Sequence, residues 1–151
     1  MKEITLKGNT KEGLRIASGQ SLNPPLVEGM NLNNTIALQR PFFEEAGIIG
    51  ISNMYSGTIN VDISPNKFEI LKPDYEITCE WWEGLIETFW LVETKINFNN
   101  EDYDGYIYYP CPSYVKSHDD YTVEFLTYKI PNLNYGDEIF AKVSGEKIRL
   151  F

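Results

Sequence analysis

The residues most ready to do chemistry in this chain are Thr58 and Asn60, within Tyr55-Ser56-Gly57-Thr58-Ile59-Asn60-Val61-Asp62-Ile63. Ile59, Val61 and Ile63 alternate with Asn60 and Asp62, the period of two that belongs to a strand with one buried face. Thr58 and Asn60 therefore leave the chain on one face, opposite the buried one. A hydroxyl and an amide oxygen side by side suit a hard cation such as Mg²⁺, which takes oxygen ligands and shares them with a phosphate. They also suit a plain solvated strand face, and this stretch alone leaves both readings open. Just ahead, Ser56-Gly57 lets the backbone turn sharply or approach a ligand closely.

The elements around this stretch read as mostly β. Residues 2–7 alternate as a first strand, and the turn formers of Gly8 to Gly13 follow. Leu14–Ser18 predicts a second strand. A long loop runs on through Gln20 to Asn34, and Asn34–Gln39 predicts another strand. Pro41 to Ala46 predicts one or two helical turns, with Pro41 at the first position and Gly47 as the stop. Beyond the central stretch, Lys67–Ile70 is a short strand set off by Ser64-Pro65-Asn66. Tyr75–Trp82 and Ile86–Phe98 form a long hairpin split at Glu83-Gly84, with aromatics supplying much of the core. Gly105–Tyr109, Tyr121–Tyr128, Glu138–Val143 and Lys147–Phe151 complete the strands. Many strands, one helical fragment and no internal repeat predict a single all-β domain over residues 1–151, a closed or nearly closed barrel with extra hairpin strands and one short helix.

Composition narrows the function classes. The chain has 151 residues and a formal net charge of −9, with its basic residues scattered rather than clustered. That pattern argues against a nucleic-acid surface, which needs Lys and Arg gathered against phosphates. No apolar run is long enough for a membrane span, and the N-terminus lacks the apolar centre of a signal peptide. Cys79 and Cys111 suit a reducing cytoplasm, although a pairing between them stays open. His118 is the single histidine, so a structural zinc site is not expected. It sits in a charged loop, where it is either solvated or placed near a ligand.

The Gly-Thr-Ile-Asn-Val core of Tyr55–Ile63 resembles the Gly-Thr-Leu-Asn-Val signature of the archaeal CTP-dependent riboflavin kinases. Order along the chain agrees. Phe42 to Gly47 resembles the helix before that signature, and Asp104-Gly105-Tyr106-Ile107-Tyr108-Tyr109-Pro110 resembles the family's Asp-Gly-strand-Pro segment. Val123-Glu124-Phe125 and Asn134-Tyr135-Gly136-Asp137-Glu138 resemble its last Glu-bearing strand and the turn beyond it. The resemblance implies a six-stranded cradle-loop barrel whose activity transfers the terminal phosphate of CTP, or of another nucleotide, to the 5′-hydroxyl of riboflavin, giving FMN.

The same resemblance implies roles for particular residues. Thr58 and Asn60 match the pair that holds Mg²⁺, Ser113 falls where the family has a flavin-contacting Thr, and Glu124 falls on its flavin-side Glu near the attacking hydroxyl. Arg15, Ser18, Gly19, Gly57 and Lys129 are left as the nucleotide side. There the chain departs from the family. Ser18-Gly19-Gln20-Ser21-Leu22-Asn23-Pro24-Pro25 stands where the family has a Gly-rich loop, and the prolines remove backbone donors that close around phosphates. The basic stretch after Glu124 is reduced to Lys129. Arg15 and Arg40 remain as cations that can face a phosphate or lie on an ordinary surface. Two other readings stand beside the kinase: a flavin- or nucleotide-binding barrel without turnover, and a dimerising interaction module.

Overall fold

A computed structural model of the chain describes residues 2–11, 35–110 and 121–151. The expected strand Leu14–Ser18, the Gln20–Asn34 loop, Cys111, Ser113 and His118 lie outside the described residues. In chain order the elements are β1 (Glu3–Lys11), α1 (Thr35–Glu45), a single 3₁₀ turn (Ile51–Asn53), β2 (Ile59–Asp62), β3 (Phe68–Ile70), β4 (Tyr75–Trp82), β5 (Leu85–Phe98), β6 (Glu101–Pro110), β7 (Thr122–Thr127), β8 (Glu138–Ser144) and β9 (Ile148–Leu150).

The main sheet runs β4-β5-β6-β7-β2-β1-β8, and β8 returns to pair with β5. That last pairing closes β5, β6, β7, β2, β1 and β8 into a six-stranded antiparallel barrel, the all-β architecture expected. Closure follows from the length of β5. Its first half pairs with β4, from Leu85 to Leu91, while Lys95 to Asn97 pair with β8 along the same edge. β3 and β9 form a separate two-stranded ribbon. Among the described residues no helix is long and apolar enough to cross a membrane.

Alternation sorts the strand residues into two cores. Leu6, Val61, Val92, Ile96, Ile107, Val123, Phe125 and Ala141 come from all six barrel strands and fill its interior. The opposite faces of β4, β5, β6 and β7 carry Ile77, Phe89, Tyr108 and Leu126, and α1 with the 3₁₀ turn covers them. Phe43 of α1 stands edge-on to Phe89 at 5.4 Å between ring centres, and Phe89 stacks on Tyr108 at 5.6 Å.

Two expectations need correction. Residues 34–39 do not form a strand: α1 takes up Thr35–Gln39 and runs on to Glu45. Ile36, Gln39 and Phe43 are buried at helical spacing against the sheet, and this packing outweighs the β preference of the local sequence. Pro41 accordingly lies inside the helix rather than at its start, while Gly47 does end it, in the left-handed conformation at φ +81°. The first strand also continues through Gly8, Asn9 and Thr10, which pair with β8 or β2 instead of turning. Gly8 is required there, because a Cβ at that position would stand 2.2 Å from the Asp62 carbonyl oxygen.

Candidate functional site

β2 sets the site through its alternation. Val61 points into the barrel and is buried, so Asn60 and Asp62 point outward. On one side Asn60 is in register with Glu124 of β7, and on the other with Lys11 of β1. Residues in register on neighbouring strands share a face with their Cβ atoms about 5 Å apart. Lys11, Asn60 and Glu124 thus form one row across three strands on the outside of the barrel.

Thr58 joins the row from just ahead of β2. Its Oγ1 donates to Glu124 Oε1 at 2.9 Å. Glu124 is only 5% exposed, so this carboxylate is held in a site largely screened from water. Its charge reaches Tyr108, whose phenol lies well above its usual pKa, chiefly through burial, with Glu124 and Glu87 adding. Tyr108 donates its hydroxyl to Gln39 Oε1 of α1 at 2.8 Å, and Gln39 is itself buried. The carboxylate therefore adjoins the polar seam between helix and sheet.

The loop before β2 is fastened from two sides. Arg40 of α1 donates through Nη2 to the Met54 carbonyl at 3.0 Å and to Ser56 Oγ at 2.7 Å. Tyr55 N donates to the Thr127 carbonyl at the end of β7, at 2.9 Å. Gly57 is buried between these fastenings. Arg40 Nε is enclosed, with no hydrogen-bond partner among the described residues.

The sequence-predicted residues divide clearly. Thr58, Asn60 and Glu124 come together, with Gly57 in the connecting loop. Lys129 is exposed just beyond β7, and among the described residues no hydrogen bond or ion pair joins it to the row. Arg15, Ser18, Gly19 and Ser113 lie outside the described residues. Lys11, Gln39 and Tyr108 were not singled out from sequence. Lys11 was legible in principle, since the outward alternation of β1 through Lys7 and Asn9 continues to it.

The donor set is a hydroxyl, an amide oxygen and a carboxylate, all hard oxygen ligands of the kind Mg²⁺ takes. Among the described residues no group of three His, Cys, Asp or Glu could hold a metal ion. The row itself offers a cation one carboxylate, Glu124, and Mg²⁺ commonly completes such a shell with water and phosphate oxygens. No family model matches the chain, and no curated protein matches it either.

Proposed function

We propose that this chain is a riboflavin-kinase-like phosphotransferase, taking the terminal phosphate of a nucleotide such as CTP to the 5′-hydroxyl of riboflavin. One observation carries the reading: Thr58 donates to Glu124 at 2.9 Å while Asn60 stands directly across from the same carboxylate. Two neighbouring residues of the β2 stretch and a third from β7, 66 positions beyond Thr58, thus supply oxygen ligands and a buried base at one place, the geometry such chemistry needs.

In this reading Thr58 Oγ1 and Asn60 Oδ1 would hold Mg²⁺. The ion supplies charge neutralisation to the phosphate oxygens, where negative charge spreads as the bond to the leaving group breaks. Glu124 orients the riboflavin hydroxyl and takes its proton as the new O–P bond forms. The bond from the terminal phosphorus to the bridging oxygen breaks, the nucleoside diphosphate leaves, and the proton passes from Glu124 to solvent. The hydrogen bond from Thr58 fixes the carboxylate's orientation before the acceptor arrives.

A barrel that binds flavin or nucleotide without turnover is favoured by the prolines at Pro24 and Pro25, where backbone donors would be expected for a triphosphate. Calorimetric titration separates the readings. Riboflavin binding together with Mg²⁺-dependent CTP or ATP binding, the latter abolished in Asn60→Ala, is the expected result for the phosphotransferase. Nucleotide binding unchanged in Asn60→Ala would remove the metal role from Asn60, and flavin binding without nucleotide would favour the binder.

A further inference from the structure

We propose that the outer edge of β4 is a docking site for a basic, extended segment of a partner protein, which adds to the sheet as a further strand beside Tyr75 to Glu80. This surface is separate from the row of Thr58, Asn60 and Glu124 and does not depend on the phosphotransferase reading.

β4 ends the main sheet. Among the described residues its one strand neighbour is β5, and the barrel closes through β5 and β8 without it. Alternate residues of β4 therefore turn their N–H and C=O groups away from β5, and such a row is a template onto which another strand can pair. From Tyr75 to Glu80 the register with β5 is regular, and an irregularity follows between Glu80 and Trp82. That leaves a straight edge about 20 Å long. Ile77, Cys79 and Trp81 are buried in the core beneath α1, so the edge is already ordered before a partner arrives and little freedom is lost on binding.

Charge selects the occupant. From Pro73 to Thr94 the chain carries Asp74, Glu76, Glu80, Glu83, Glu87 and Glu93 and no Lys or Arg. Lys147 reaches Asp74 and Glu93 at one end of the hairpin. Further along, Glu76, Glu80 and Glu83 are exposed, and among the described residues no cation pairs with them. Glu76 and Glu80 share the outward face of β4 with Thr78 between them. Trp90 Nε1 donates to Glu76 Oε2 at 2.7 Å, which fixes the direction of that carboxylate. A second copy of this chain is a poor occupant. Two β4 strands paired antiparallel about Thr78 would set Glu76 of each against Glu80 of the other, and like charges directly opposite destabilise a sheet. A strand with Lys or Arg at alternate positions meets both carboxylates with opposite charge while its backbone completes the row.

The test is binding of a fluorescent eight-residue peptide alternating lysine with valine to the full chain, read by anisotropy, with hydrogen exchange locating the bound edge. Wild type is expected to bind it, more tightly at low salt, and to gain protection at β4 amides. Glutamate in place of lysine should abolish binding. Methylating one alternate set of the peptide's backbone amides should weaken binding about tenfold or more, and methylating the other set should change it little, because only one set faces β4. The double variant Glu76→Gln, Glu80→Gln should lose about fivefold in affinity, with its melting curve showing that it is folded. No binding of the lysine peptide by wild type, equal binding by the folded double variant, or equal binding of both methylated peptides would each overturn the proposal. So would sedimentation showing that the chain alone dimerises with its β4 amides protected. Should the double variant fail to fold, the methylated peptides against wild type still decide.

Discussion

Glu124 and Glu87 are both buried carboxylates on the faces of the sheet turned toward α1, yet their surroundings give them different work. Glu124 is held by Thr58 beside Asn60, so Glu124→Gln preserves the shape and removes the proposed base. We expect the turnover number for FMN formation to fall by about 10²- to 10⁴-fold, with riboflavin affinity little changed, as steady-state kinetics and titration will read. Glu87 accepts from Trp81 Nε1 at 3.1 Å and faces Cys79 across the hairpin. Burial raises its pKa above the ordinary 4.5, against the smaller lowering by Trp81. A carboxyl raised in the folded state stabilises the protein fully below its unfolded pKa and loses that contribution as pH rises through the folded one. Glu87→Gln is therefore expected to raise the melting temperature at pH 7 and leave it nearly unchanged at pH 3. Melting curves at the two values check this, and an equal shift at both would contradict it.

α1 and β1 show why local sequence misplaces elements. Within Asn34–Gln39 the alternation of Thr35, Ala37 and Gln39 with Ile36 and Leu38 imitates a strand. The buried helical stripe contains Gln39, a polar residue whose partner Tyr108 comes much later in the chain. Nothing nearby in sequence announces that partner, so only the packed sheet reveals the helix. Phe43→Ala empties the centre of that packing and is expected to cost about 3–5 kcal/mol in denaturant unfolding. In β1, Gly8 reads as a turn residue because glycine usually marks one. Its real requirement is the close passage of β1 over β2, with the Asp62 carbonyl only 2.2 Å from where a Cβ would stand. Gly8→Ala should cost about 1–3 kcal/mol in denaturant unfolding and disturb the Lys11–Asn60 register. By contrast the β4–β5 hairpin was fully legible: long aromatic strands flank Glu83-Gly84, and Gly84 adopts φ +80° as the turn demands.

The barrel as a whole was legible because its strands alternate and few segments offer helical spacing. Its closure was less so, since the β5–β8 pairing depends on which half of β5 remains free after β4 has docked. The site follows the same division. The Thr58–Asn60 pair could be read from spacing alone, whereas its meeting with Glu124 needed β2 and β7 to be neighbours, and Lys11 needed β1 on the other side. The β3–β9 ribbon joins the barrel partly through Asp74, which pairs with Lys147 at 2.6 Å and accepts from the Glu93 amide at 2.7 Å. Asp74→Ala is expected to cost about 2 kcal/mol, measurable as a lower denaturant midpoint.

The most direct test is to incubate the purified chain with riboflavin, Mg²⁺ and either CTP or ATP, and to separate riboflavin from FMN by chromatography. FMN formed by the wild type, dependent on Mg²⁺ and lost in both Asn60→Ala and Glu124→Gln, is the result predicted from the meeting of Thr58, Asn60 and Glu124. No FMN with either nucleotide, from a protein shown to be folded, would contradict it.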